Sequence, residues 1–254
     1  EAGQRVYQTP DNRYFRCGTE IRPIAAAADE GDVSGLLSGS DRLERFSLAD
    51  PKNLNSREEI ILSFPVTEAM ADAGLILHFR QTLMTTYLFY NAMGYMGDEV
   101  GDLFARLETE PELRKKFDAT TRLMGGIDVM VKDPQTGRWI GKGTFFETGP
   151  IAINRQMLPI GSTESGTVQV KLILNRGLWR LDQATLVPLF GEVIPQEFRP
   201  TEVQVDGVSK PELLAQLFSP DQHLSSMPGD RFRFEFQLPE IEKQWELFLY
   251  SKGY

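Results

Sequence analysis

Residues 126–189 read GIDVMVKDPQTGRWIGKGTFFETGPIAINRQMLPIGSTESGTVQVKLILNRGLWRLDQATLVPL, and their pattern decides the fold. A strand, a turn and a strand closing on Trp139 come first, then a long return and another strand closing on Trp179. Val168, Val170, Leu172 and Leu174 share one face, the period of two that a half-buried strand requires. Asp133 to Gly137 carries turn chemistry, with Pro134 for a fixed φ and Gly137 for a positive one.

Upstream the alternation continues. In Arg57–Val66, Ile60, Leu62 and Phe64 alternate with Glu59, Ile61 and Ser63. In the next strand Leu75, Leu77 and Phe79 face one side, and Ile76, His78 and Arg80 the other. These two strands are expected to pair as an antiparallel unit. Then the period changes. Phe89, Met93, Met96, Val100, Leu103 and Leu107 are spaced as one face of an α-helix. Gly94, Gly97 and Gly101 mark either a close approach or a break. Thr109-Glu110-Pro111-Glu112 reads as a capping box that opens a second helix through Leu113, Phe117 and Met124. A helical hairpin over residues 82–124 is therefore inserted between strands.

Residues 1–55 are loosely patterned and are expected to pack on the domain as a poorly structured segment. Residues 56–200 form the sandwich. Residues 201–254 complete its sheets or form a small subdomain: a short strand at Glu202–Val205, a helix opened by the Ser209-Lys210-Pro211-Glu212 box, and the strand RFRFEFQL. The last puts Phe232, Phe234, Phe236 and Leu238 on one face, which is expected to be buried, and Trp245–Tyr250 is expected to add a final strand. The predicted class is mainly β (α+β), an antiparallel β-sandwich of jelly-roll type with an inserted helical hairpin and a short C-terminal helix.

Composition narrows the function. With 41% hydrophobic and 25% charged residues the chain can bury a core. A net charge of −9, spread along the chain, excludes the concentrated Lys and Arg of a phosphate-binding surface, so no nucleic-acid partner is expected. No apolar run reaches the length of a membrane-spanning helix. The single Cys17 reads as a structural thiol and excludes an internal disulfide framework. Glu1 at the start is compatible with a removed secretory signal, and the expected location is extracellular or the cell envelope.

The hairpin Ile127–Lys132 with Trp139, the strand Val168–Leu174 and the strand Leu181–Leu186 resemble the closing half of a galactose-binding-like β-sandwich, of the discoidin and carbohydrate-binding-module type. That resemblance implies a binding module. No cofactor is expected, Ca²⁺ being the one alternative. Asp128, Asp133 and Asp182 are its candidate oxygen donors, although no D-x-D-x-D-G loop is present and Asp133 is explained by its turn.

No nucleophile elbow, phosphate loop or H-E-x-x-H motif occurs. His78 and His223 read as surface or hydrogen-bonded structural residues, and Glu58 and Glu59 as solvated charge on opposite faces of a strand. Neither a catalytic residue nor a metal ligand is assigned. Three functions follow in order: a non-catalytic assembly module of a bacterial-type envelope or extracellular complex, a carbohydrate-binding module, and a jelly-roll enzyme with an unseen site. The candidate binding residues are Tyr90 and Met93 on the helix, for another protein subunit, and Trp139 and Trp179, for a sugar ring.

Overall fold

A computed structural model gives the fold and describes residues 4–123, 125–146, 149–219, 222, 224–240 and 246–251. The chain divides into two compact units, Glu1–Val193 and Ile194–Tyr254. The first begins with β1 (Arg5–Gln8), β2 (Tyr14–Cys17), β3 (Ala25–Ala28), β4 (Gly31–Asp32), α1 (Ser34–Leu37) and β5 (Arg45–Phe46). The long strands β6 (Arg57–Val66) and β7 (Met70–Gln81) follow. Next come α2 (Leu83–Met96), α3 (Glu99–Thr109) and α4 (Pro111–Leu123). Strands β8 (Ile127–Lys132), β9 (Trp139–Phe145), β10 (Asn154–Thr163), β11 (Gly166–Asn175) and β12 (Trp179–Val193) complete it. The second unit holds β13 (Pro200–Val205), β14 (Val208–Ser209), α5 (Pro211–Leu217) and β15 (Phe232–Phe236). The protein is mainly β, as the alternation predicts.

One sheet runs β2-β1-β10-β7-β12-β5, and β2 also pairs with β12, so five strands close into a barrel. Its ladders are antiparallel except β1 against β10, which is parallel. Tyr7, Phe15, Cys17, Ile76, Met157, Val187 and Leu189 fill the barrel. A Cβ at Gly74 in its wall would lie 2.5 Å from Met157 Sδ, so a larger residue there would push that side chain aside. The other sheet, β4-β3-β6-β11-β8-β9, is antiparallel throughout. Ile60, Leu62, Val170, Leu172 and Leu174 of this sheet share a larger core with Leu75, Leu77, Phe79, Leu181 and Leu186 of the barrel wall.

This arrangement changes several expectations. Strands β6 and β7 do not pair with each other: β6 lies between β3 and β11, and β7 between β10 and β12. The reason is that β7 is apolar on both sides, so Leu75 and Leu77 serve the shared core while Ile76 fills the barrel. Asp72-Ala73-Gly74 consequently lies within β7 and is no turn. The N-terminal segment is built into the structure, supplying five strands to the two sheets. His78, expected on a polar surface, is 4% exposed inside the barrel wall. Glu58 is also buried, because it has the same parity as Ile60 and Leu62 on β6.

The insertion contains three helices where a hairpin was expected. Gly97 takes φ +57°, which ends α2 and separates it from α3. The turn from Asp133 to Gly137 forms as expected, with the Asp133 carboxylate accepting from the Gln135 and Thr136 amides at 2.8 Å each. Cys17 is fully buried, and burial pushes its thiol up to about 12. We therefore expect no reaction with a thiol reagent at pH 8 in the native protein and full reaction in denaturant. Reaction at equal rates in both states would place Cys17 at the surface.

The second unit forms its own three-stranded sheet, β14-β13-β15. Val203, paired with Phe234, is 1% exposed, yet Phe234, Phe236 and Leu238 keep 38–41% exposure. The expected buried phenylalanine face is thus only partly covered. The short α5 packs on β13 and leaves β15 at the sheet edge. Helix α5 begins at Pro211 as the sequence suggests, but no side chain caps it. Residues 246–250 are not in a strand. Met124, His223 and Trp245 lie outside the described residues.

Candidate functional site

The sequence-predicted residues Tyr90 and Met93 lie on α2, whose first turn is bolted to the sheets. Thr82 caps it, accepting from the Met84 amide at 3.2 Å and donating its hydroxyl to Gly177 O at 2.6 Å. Thr85 is buried and donates to Thr82 O, while Met84 and Leu88 pack on the shared core. Past this turn, no residue of α2 is buried.

The rest of α2 carries no charge to hold it in water. From Gln81 to Gly97 there is no Asp, Glu, Lys or Arg. Tyr87, Tyr90 and Tyr95 are 62%, 68% and 90% exposed. A helix that is apolar all round normally has every side covered. Tyr90, Asn91, Gly94 and Tyr95 line a groove of about 330 Å³, and nothing stands within 4 Å of where a Gly94 Cβ would be. Met93 is half-buried beside it.

Two contacts set this surface in place. Phe89 meets Tyr90 edge-on at 5.9 Å and Phe117 of α4 at 6.2 Å. Arg114 donates to Leu107 O and Glu108 O, satisfying the free carbonyls at the end of α3. Among the described residues, no helix is long and apolar enough to cross a membrane.

The two tryptophans separate. Trp179 is 1% exposed with its ring 5.9 Å from Phe79, so it is core and is unavailable to a sugar. Trp139 is half-buried on the outer face of its sheet. Lys171 Nζ lies 4.7 Å and Lys132 Nζ 5.9 Å from its ring centroid.

The three candidate aspartates do not converge. Asp128 pairs with Arg57 at 2.6 Å and accepts from Thr144 at 2.8 Å, Asp133 serves its turn, and Asp182 is fully buried elsewhere. Among the described residues no three His, Cys, Asp or Glu side chains gather as a metal site.

Sequence reasoning missed two buried polar groups. At one end of the barrel, Glu20 accepts from Tyr7 at 2.7 Å, Thr185 at 3.2 Å and Gln183 at 3.5 Å. Burial, helped by Glu20, raises the Tyr7 phenol. From β5, Arg45 joins Glu58 on the other sheet and Glu30. Such groups are brought together from distant segments, and only the apolar parity of Glu58 hinted at its burial.

No family model matches the chain, and no curated protein matches it.

Proposed function

We propose that this chain is a non-catalytic assembly module of a bacterial-type envelope or extracellular complex, built on a galactose-binding-like, jelly-roll scaffold and acting through α2. The observation that carries the reading is the uncharged, aromatic, exposed length of α2 beyond Thr85. Exposed tyrosines and methionines are residues that interfaces favour.

The occupant is a second copy of the chain. Two copies at a net charge of −9 repel over most of their surfaces, and α2 is a face on which they meet without like charges. Its groove beside Gly94 adjoins the projecting Tyr90 and Tyr95 rings. A knob next to a hole on one face is the self-complementarity that a two-fold contact requires.

The full chain should then associate with rising concentration in sedimentation experiments. Tyr90→Glu with Met93→Glu puts four like charges into the contact and should weaken association by about 10³-fold or more, with the melting temperature nearly unchanged. A wild-type chain that stays monomeric, or a double variant that still pairs, overturns this. The carbohydrate alternative would rest on Trp139. It is less favoured because the Lys171 ammonium already stands over the ring face that a pyranose would use.

A further inference from the structure

His78 is 4% exposed, and among the described residues neither of its ring nitrogens has a hydrogen-bond partner. A buried imidazole with both nitrogens unmatched is costly, so an arrangement that gives it a partner would be favoured. The Asp182 carboxylate, fully buried, lies with Oδ2 4.0 Å from Nδ1.

Asp182 is already engaged. Oδ2 accepts from the Ser40 hydroxyl at 2.8 Å and Oδ1 from the Arg42 amide at 3.1 Å. It sits where the register of β12 against β7 shifts between Leu181 and Gln183. The segment it holds is strained, for Arg42 takes φ +70°. That segment is exposed from Ser40 to Leu43, yet it runs between two buried anchors, Leu37 and Arg45. Between residues 38 and 43 it is held to β12 by Asp182 and the bridge from Ser38 to Gln183. Beyond it, Glu44 pairs with Arg180 and β5 with β12.

We propose that His78 and Asp182 form an acid-operated latch, in which protonation of the imidazole draws the Asp182 carboxylate off Ser40 and the Arg42 amide and frees residues 38–43. The movement needed is small. Closing 4.0 Å to hydrogen-bond length takes about 1 Å. It also gives the new N–H donor a charged acceptor.

The charged groups around His78 set the direction. Arg155 stands directly across on β10 and Arg5 comes from β1, both opposing a second positive charge. Glu20 and Asp182 favour it, and Tyr7 and Cys17 complete the surroundings within the barrel. Burial first, then Arg155, holds the latched imidazole at about 4, below its ordinary 6.5. In the released state the imidazolium meets the Asp182 carboxylate, an opposite charge that favours the protonated form, so that state binds the proton more readily. The latch is therefore closed where the imidazole is neutral, and opening rises by up to about tenfold for each unit as the pH falls towards 4.

Amide exchange on the full chain, corrected for the intrinsic rate at each pH, reads this directly. Protection of the Arg42 amide should fall by up to about tenfold per unit as the pH drops towards 4, while β7 and β12 keep theirs. His78→Gln, which cannot take a proton, should give a flat profile. Asp182→Ala should leave the segment unprotected even at pH 7. A flat wild-type profile, a slope that survives His78→Gln, or loss of β7 and β12 protection in step with Arg42 would overturn the latch. Should either variant fail to fold, the imidazole resonance of the wild type decides: titration of His78 near 6.5 in the native protein would show a solvated ring and refute the proposal.

Discussion

Replacing Arg45 with alanine should lower the stability of the chain by about 3–5 kcal/mol, measured as a shift of the denaturant midpoint at constant slope. The guanidinium is 1% exposed and donates to Glu58 at 2.8 and 2.6 Å and to Glu30 at 2.9 and 3.0 Å. Removing it strands the Glu58 carboxylate, itself 1% exposed, with only the Ser47 hydroxyl still donating at 2.7 Å. Glu30 is half in water and tolerates the loss. The asymmetry offers a check. Replacing both partners, as Arg45→Met with Glu58→Leu, removes the uncompensated charge and should recover most of the loss. A double variant as unstable as Arg45→Ala would mean that shape, and not the stranded carboxylate, governs the site.

Trp179→Ala is the other large effect. The indole packs in the shared core against Phe79, which in turn lies 5.4 Å from Phe145. Loss of the ring leaves a cavity that two sheets cannot both close, and about 3–5 kcal/mol should go with it. Among the described residues the indole N–H has no hydrogen-bond partner, so the expected loss is one of packing. Trp139→Ala, at a half-buried site on the outer face, should change stability by less than about 1 kcal/mol. Equal effects at the two tryptophans, read from urea melts, would contradict the separation of core from surface.

What the chain reveals before folding depends on which forces are local. Strand β11 is legible because Val170, Leu172 and Leu174 obey a period of two and meet one buried face. The end of α2 is legible because Gly97 can adopt a positive φ. Strand β7 is legible as a strand but not in its neighbours: Ile76 beside Leu75 and Leu77 already says that both faces are buried, but not against what. His78 followed the same parity as Ile76 and was therefore destined for the barrel interior, where its polar character misled. Glu58 was misread for the same reason, since Arg45, its partner, lies on a separate strand. The apolar face of β15 failed differently. A regular pattern tells which residues could be buried, and the length of α5 limits how many are. On α2, composition flagged Tyr90 and Met93, and the exposure of the helix is a property of the assembled sheets that no local spacing contains.

The closure of the barrel has a consequence for how the chain reaches its native state. Strands β1 and β2 pair with each other early, but their remaining neighbours are far along the chain: Gln8 meets Gln156, and Cys17 meets Leu189. During synthesis these two strands must wait until nearly the whole first unit exists. Until then, the apolar faces of Tyr7, Phe15 and Cys17 and two open strand edges stay uncovered. Contacts of such long sequence separation fold slowly, because the entropy of closing the loop is lost before any packing is gained. The ring that protects every one of its edges once complete is thus the part of the molecule most exposed to mispairing while it forms.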